Sequence, residues 1–278
     1  MNTNWRKQPI FCFDFDGTLL NENEQIHPED LHYLKEENAF VPVAATGRTL
    51  DSVKRVLAKN GLFKDKKIPF PMILMNGSAV FGFNEELVQY TPFEPQIQSR
   101  IFERLTNETE VAFLLMGLEK NYLFSPTPFG IAACNRYDFD YEKIVSIDEA
   151  VVPISKVMCY SENPDALAAV KDRYAHFEVE GAYSMPTIFE LTPPGINKGK
   201  GYQLLINSLH LDPVLAAAVG DGGNDLPLLA QVELTFAPDH APEEVKNQAQ
   251  FHFHHETNGI FTPILNKAIP VLKQRKRI

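Results

Sequence analysis

The sequence predicts an α/β protein in which a parallel sheet covered by helices is interrupted by an inserted α+β domain. Three observations carry this expectation. Short apolar segments alternate with amphipathic ones at both ends of the chain, the rhythm of strands joined by crossover helices. Several of those apolar segments stop at a turn containing Asp or Gly. The middle, from about Phe81 to Met185, breaks the rhythm with aromatic and proline punctuation.

The elements follow in order. Ile10–Phe15 is an apolar run ending in Asp and Gly, as expected of a strand buried on both faces. His27–Asn38 is a helix with Pro28 in its first turn and Leu31 and Leu34 on one side. Val41–Ala45 is the second strand; Thr49 caps a helix carrying Leu50, Val53 and Leu57, and Gly61 ends it. Met72–Met75 is a third strand before an Asn76–Gly77 turn. After the irregular middle, Ile188–Leu191, Leu215–Val219, Leu234–Phe236 and Phe251–Phe253 read as strands. Lys198–Leu209, the region of Pro242–Gln250 and Gly259–Leu272 read as helices. The expected division is a discontinuous core of residues 1–80 and 188–278 with an inserted domain of residues 81–187.

Length and composition bound the function. At roughly 100–200 residues per domain, 278 residues suffice for two domains. Hydrophobic residues at 44% against 22% charged supply a core and exclude wholesale disorder. No apolar run approaches the roughly 18 residues of a membrane span, and the polar Met1–Pro9 lacks a signal-peptide core. Cys12, Cys134 and Cys159 are too few and scattered for a disulfide framework or zinc cluster. The expectation is a cytoplasmic protein. A net charge of −10 disfavours nucleic acid and anionic membrane as partners. The basic Lys273–Arg277 segment reads as a solvated helix end.

Four motifs carry chemistry. Asp14-Phe15-Asp16-Gly17-Thr18 ends the first strand, and residues i and i+2 of an extended chain point the same way, so both carboxylates can face one pocket. A carboxylate nucleophile with a second carboxylate as acid and base suits displacement at phosphorus. Thr46-Gly47-Arg48 ends the second strand, where a hydroxyl and backbone amides near a helix start can cradle a phosphoryl group. Lys198 opens a helix and can neutralise nucleophile and phosphoryl oxygens, whereas Lys200 reads as solvent-facing. Gly220-Asp221-Gly222-Gly223-Asn224-Asp225 follows another strand and offers hard oxygen donors suited to Mg²⁺. Other chemically suggestive residues read as structural. Phe251–His255 is expected to be an edge strand with exposed histidines, and Cys12 and the phenylalanines to be packing.

In this order the motifs resemble those of the haloacid dehalogenase superfamily of aspartyl phosphohydrolases. The long insertion resembles a type II cap, and the contexts Asn197-Lys198-Gly199 and Asn258-Gly259-Ile260 resemble the Cof-type subfamily. The resemblance covers Ile10–Phe83 and Phe189–Leu265; over the cap it is one of placement and length. It implies a Rossmann-like core. It implies that Asp14 attacks phosphorus to form an aspartyl-phosphate, and that Asp16 protonates the leaving oxygen and then activates water. It further implies Mg²⁺ held by the Asp14 carboxylate, the Asp16 backbone carbonyl and the Asp221 carboxylate. Thr46, Gly47, Lys198 and Asn224 would hold phosphoryl oxygens, and Asp225 would support the metal site or orient Lys198. The expected function is Mg²⁺-dependent hydrolysis of a small phosphorylated metabolite, such as a sugar phosphate, with a mobile cap closing over it. The rivals are a phosphomutase and a non-catalytic phospho-ligand sensor on the same scaffold.

Overall fold

The computed structural model describes residues 5, 8–35, 40–105, 110–124, 127–136, 139–212, 216–255 and 259–276. Asn38, Leu215, Asn258 and Arg277 from the expectations above lie outside them. The chain divides into two compact units, residues 1–89 with 198–278, and residues 90–197.

The first unit is built on an eight-stranded sheet, β14-β13-β12-β1-β2-β3-β4-β5. Its central strands β12 (Ala216–Val219), β1 (Ile10–Phe13), β2 (Val41–Ala45) and β3 (Met72–Leu74) are mutually parallel. On one flank β13 (Leu234–Pro238) and β14 (Phe251–Phe253) continue the parallel order. On the other, β4 (Ala79–Phe81) turns antiparallel to β3, and β5 (Leu87–Tyr90) completes the edge. β1 shows why its sequence is apolar throughout. Ile10 and Cys12 join a core with Tyr202 and Leu205, while Phe11 and Phe13 pack on Phe261 at ring distances of 5.0 and 5.4 Å. A strand covered on both faces has no solvated side to mark with polar residues.

Helices supply that cover: α1 (Pro28–Lys35), α2 (Leu50–Lys59), α6 (Lys198–Leu209), the short α7 (Leu226–Leu229), α8 (Glu243–Gln248) and α9 (Phe261–Lys276). Thr49 caps α2, its hydroxyl accepting from the Ser52 amide (3.3 Å), and Val53, Val56 and Leu57 form the buried face. β14 is an edge strand, with His252 and His254 exposed.

The second unit holds a six-stranded sheet, β10-β11-β9-β6-β7-β8. It comprises β6 (Ala112–Gly117), β7 (Asn121–Phe124), β8 (Glu142–Ile144), β9 (Ile154–Tyr160), β10 (Glu180–Met185) and β11 (Ile188–Thr192). Among the described residues its strands pair antiparallel except β7 with β8. Helices α3 (Pro95–Leu105), α4 (Pro128–Arg136) and α5 (Pro164–Tyr174) complete the unit. Ile101, Leu105, Leu167 and Val170 share an apolar cluster with Phe113, Leu115, Val157 and Cys159.

The division corrects the expected boundaries at both ends. β4 and β5 extend the first unit past residue 81, and Ile188–Thr192 belongs to the second sheet, paired antiparallel to β9 and β10. An apolar run identifies a strand but not the sheet it joins, and β11 meets its partners through a hairpin with β10.

Candidate active site

Ligands of open α/β sheets bind beyond the carboxyl ends of the strands, where the strand order reverses. Here that point lies between β1 and β12, since the chain proceeds outward to β2 and β3 on one side and to β13 and β14 on the other. Asp14 follows β1 directly, and its amide donates to the Val219 carbonyl at the end of β12 (3.2 Å). The chain then turns tightly, with the Leu20 amide donating to the Phe15 carbonyl (2.8 Å). Gly17 sits in the turn at φ +79°, and a Cβ there would lie 2.3 Å from Asp221 Oδ2. Only glycine meets both demands. The next residue, Thr18, donates its hydroxyl to Asp221 Oδ1 (2.8 Å), tying the first and fourth motifs together.

Lys198, the first residue of α6, is completely buried. Its Nζ donates to Asp14 Oδ1 (2.8 Å) and to Asp225 Oδ1 (2.6 Å). Asp225 uses its other oxygen to accept from the amides of Asp221 (3.1 Å) and Gly222 (3.0 Å). The Asp225 carboxylate therefore shapes the fourth loop and orients the lysine. Gly220 permits this closeness, because a Cβ there would fall 2.3 Å from Asp225 Cγ.

The second motif is joined to the fourth through a residue that sequence reasoning passed over. The Asn76 amide donates to the Thr46 carbonyl (3.2 Å), and the Asn76 side chain accepts from Asn224 Nδ2 (3.3 Å). Asn76 adopts a left-handed φ of 55° just after β3. Its signal was an Asn-Gly pair at a strand's carboxyl end, the same position as the other motifs. Thr46 is buried, and its Oγ1 accepts from the Arg48 amide (3.2 Å). That amide, one of those expected to meet phosphate, is thus engaged by the motif's own hydroxyl. Gly47 between them is half-buried. Asp16 turns its carboxylate to the buried Arg48, which donates from Nε (2.9 Å) and a terminal nitrogen (2.6 Å).

Charge is unevenly balanced in this cluster. Burial pushes the Asp14 carboxyl well above the usual carboxylate range; Lys198 opposes this, while Asp225, Asp221 and Asp16 add to it. Burial, reinforced by Asp225, pushes Asp221 up to about 7 against the Thr18 hydrogen bond. Burial alone would lower the Lys198 ammonium, but Asp14 and Asp225 outweigh it and hold the group above the ordinary lysine value. One carboxylate oxygen each of Asp14, Asp221 and Asp225 lie within 4.8 Å of one another. These are hard oxygen donors in net negative surroundings, and the set fits Mg²⁺ or another hard divalent ion.

Lys200 is exposed, and Cys12 is buried with its thiol pushed up by burial.

Comparison with known proteins gives the family of the chain. The family model of the haloacid dehalogenase-like hydrolases matches residues 11–264. An HMP-PP phosphatase of Serratia proteamaculans is 26% identical over 229 residues, covering 80% of this chain and 81% of the relative. A phosphoglycolate phosphatase of Methanopyrus kandleri is 25% identical over 241 residues, covering 85% and 86%. Among solved structures, SMU.1108c of Streptococcus mutans superposes with a TM-score of 0.81 at 17% identity, over 94% of this chain and 99% of that one. A haloacid dehalogenase-like hydrolase of B. subtilis gives 0.78 at 21% identity, over 88% and 94%. With the family match spanning both units and the motif loops gathered at one end of the parallel sheet, the chain belongs to the haloacid dehalogenase-like hydrolases.

Proposed function

We propose that this hydrolase is a cytoplasmic, Mg²⁺-dependent phosphatase that cleaves a small phosphorylated metabolite, such as a sugar phosphate, through an aspartyl-phosphate on Asp14. The phosphoric monoester hydrolase class is that of relatives on which the chain is aligned over most of its length. The observation that carries the reading is the buried Asp14–Lys198–Asp225 chain beside Asp221 at the sheet's reversal point. A phospho-ligand sensor has no use for a nucleophile fixed in this way. Three buried free cysteines suit a reducing compartment.

An Asp14 carboxylate oxygen attacks phosphorus as the bond to the leaving oxygen breaks, and Asp16 gives that oxygen its proton. Asp16 then takes a proton from water as the water oxygen attacks the phosphorus of the acyl phosphate. Orthophosphate leaves and Asp14 is regenerated. Lys198 fixes the Asp14 oxygen and offsets negative charge on the phosphoryl group, a share of the electrostatic work common to phosphoryl transfer. Thr46, Gly47 and Asn224 border the remaining phosphoryl oxygens in this reading, with Asn76 holding Asn224 and Thr46 in register. Mg²⁺, when bound by the Asp14 and Asp221 carboxylates and the Asp16 carbonyl, supplies positive charge that lets a carboxylate approach a phosphate dianion. Asp225, already engaged by Lys198 and two amides, is the scaffold of that site.

The test is phosphate release across a panel of phosphorylated metabolites, with EDTA or Mg²⁺. Release should require Mg²⁺, and Asp14→Asn should abolish it while keeping the fold, since the amide is nearly isosteric but cannot attack phosphorus. Activity of Asp14→Asn within tenfold of the parent, or full activity in EDTA, would reject the reading.

A further inference from the structure

Arg48 is nearly inaccessible, yet it holds together residues from three parts of the first unit. Its Nε donates to Asp16 Oδ2 (2.9 Å), and one terminal nitrogen donates to Asp16 Oδ1 (2.6 Å) and to Glu24 Oε1 (2.8 Å). The other terminal nitrogen donates to the Ser52 hydroxyl on α2 (3.2 Å). A guanidinium gripping both oxygens of a carboxylate fixes its plane as well as its position. Two such bonds occupy only half of a carboxylate's roughly four acceptor directions, so the remaining lone pairs stay usable for a proton.

Glu24 is itself placed with care. It has a left-handed φ of 57°, a conformation a glutamate adopts only when its surroundings impose it. Asn60, which closes α2, imposes it by donating to the Glu24 carbonyl (2.9 Å) and accepting from the Ile26 amide (2.9 Å). Lys59 donates to Glu24 Oε2 (3.0 Å). The two ends of α2 thus bracket the loop: Arg48 precedes its N-terminus, and Lys59 and Asn60 lie at its C-terminus.

From this geometry we infer that Arg48 and Glu24 are positioning residues for Asp16. Glu24, pinned by Asn60 and Lys59, anchors the Arg48 guanidinium, and Arg48 presents the Asp16 carboxylate in one orientation for proton transfer. The inference rests on the acid/base assignment of Asp16 made above. It also accounts for the ion pairs: a buried arginine facing two carboxylates is a poor source of stability, because desolvation offsets much of the Coulomb gain.

The experiment compares kcat/KM, which reports phosphoryl transfer to the enzyme, on p-nitrophenyl phosphate and on glycerol 3-phosphate. The first has a good leaving group that needs little protonation; the second has an alkoxide that needs a correctly aimed acid. Arg48→Lys keeps the charge but loses the fork, and should lower kcat/KM about 10²-fold on glycerol 3-phosphate and far less on p-nitrophenyl phosphate. Glu24→Gln, isosteric and at the rim of the network, should show the same asymmetry at about tenfold and remain folded. Acid-quenched samples of both variants turning over p-nitrophenyl phosphate should retain more phosphoenzyme than the parent, because formation is little slowed while the same carboxylate serves the hydrolytic step. Equal losses on the two substrates, or none on glycerol 3-phosphate, overturn the positioning role. Asp16→Asn, run alongside, separates this from the premise. If it shows the leaving-group asymmetry and the Arg48 and Glu24 variants do not, positioning alone fails; if it shows none, the acid/base assignment fails with it.

Discussion

Lys198 lies between Asp14 and Asp225, all three almost wholly removed from water. Removing one partner from such a group leaves the others charged and desolvated, which costs about 3–5 kcal/mol in comparable sites. Lys198→Met, similar in volume, should therefore lower unfolding free energy by roughly that amount in denaturant titrations of the metal-free protein. The deficit should shrink between pH 8 and pH 5, because Asp14, with its carboxyl already pushed up by burial, can neutralise itself by protonation. A variant as stable as the parent at pH 8 would mean that the three groups share fewer than three charges. Lys198, Asp14, Asp221 and Asp225 were legible in the sequence because each ends a strand or opens a helix. Asn76 was legible only as a turn, and Glu24 not at all, since it relies on left-handed backbone and meets Arg48 across 24 residues of chain.

Between residue and molecule stands the junction of α1 with α9. Asp30, in the first turn of α1, is completely buried and accepts from the amides of Ile260 (3.1 and 3.0 Å) and Phe261 (2.9 Å). It thereby caps a helix that begins some 230 residues later. Gly259, at φ +61°, passes so close that a Cβ would lie 2.4 Å from Asp30 Oδ2. The Asn258-Gly259-Ile260 motif thus has a physical reason at its glycine. In turn the cap fixes Phe261, which packs on Phe11, Phe13 and Tyr33 beneath the strand that ends at Asp14. Asp30→Ala leaves these amides buried without their acceptor and should cost roughly 2–4 kcal/mol, whereas Asp30→Asn, which keeps one accepting oxygen, should cost less. Thermal melts of the two variants test this; equal losses would assign the effect to packing. Nothing in the sequence announced this contact. An acidic residue in a helix's first turn is ordinarily explained by its own helix, and Asp30 serves another.

Across the whole molecule, the parallel core was readable because its strands are apolar on both faces and end in motif loops. The second sheet was not: its antiparallel order depends on which strands meet, and Ile188–Thr192 looks like a core strand until its partners are known. Stability against pH integrates the buried carboxylates in one measurement. Burial pushes Asp30 up to about 6, against the amides it accepts from, and pushes Asp221 up to about 7. Each folded value lies above the ordinary carboxylate value. The native state therefore binds more protons than the unfolded chain, and the contribution is full below about pH 4 and lost as pH rises through 6 and 7. Glu24, lowered by Arg48 and Lys59 against the effect of its own burial, works oppositely but only below its ordinary value. Hence in EDTA the protein should gain stability from pH 8 down to about pH 5, with Asp30 alone contributing about 1.5 kcal/mol over that interval. Mg²⁺ held by Asp14 and Asp221 would offset part of that loss, since it requires the deprotonated carboxylates and adds about 2.7 kcal/mol at a hundredfold excess over its Kd. Melting temperatures should consequently fall steeply with alkalinity in EDTA and less steeply in excess Mg²⁺, the two curves converging toward pH 5. Asp30→Asn should flatten the EDTA curve around pH 6 without moving the Mg²⁺ increment. A metal-free protein that loses stability steadily from pH 8 to pH 5 would show that its buried carboxylates are paired more completely than this structure has them.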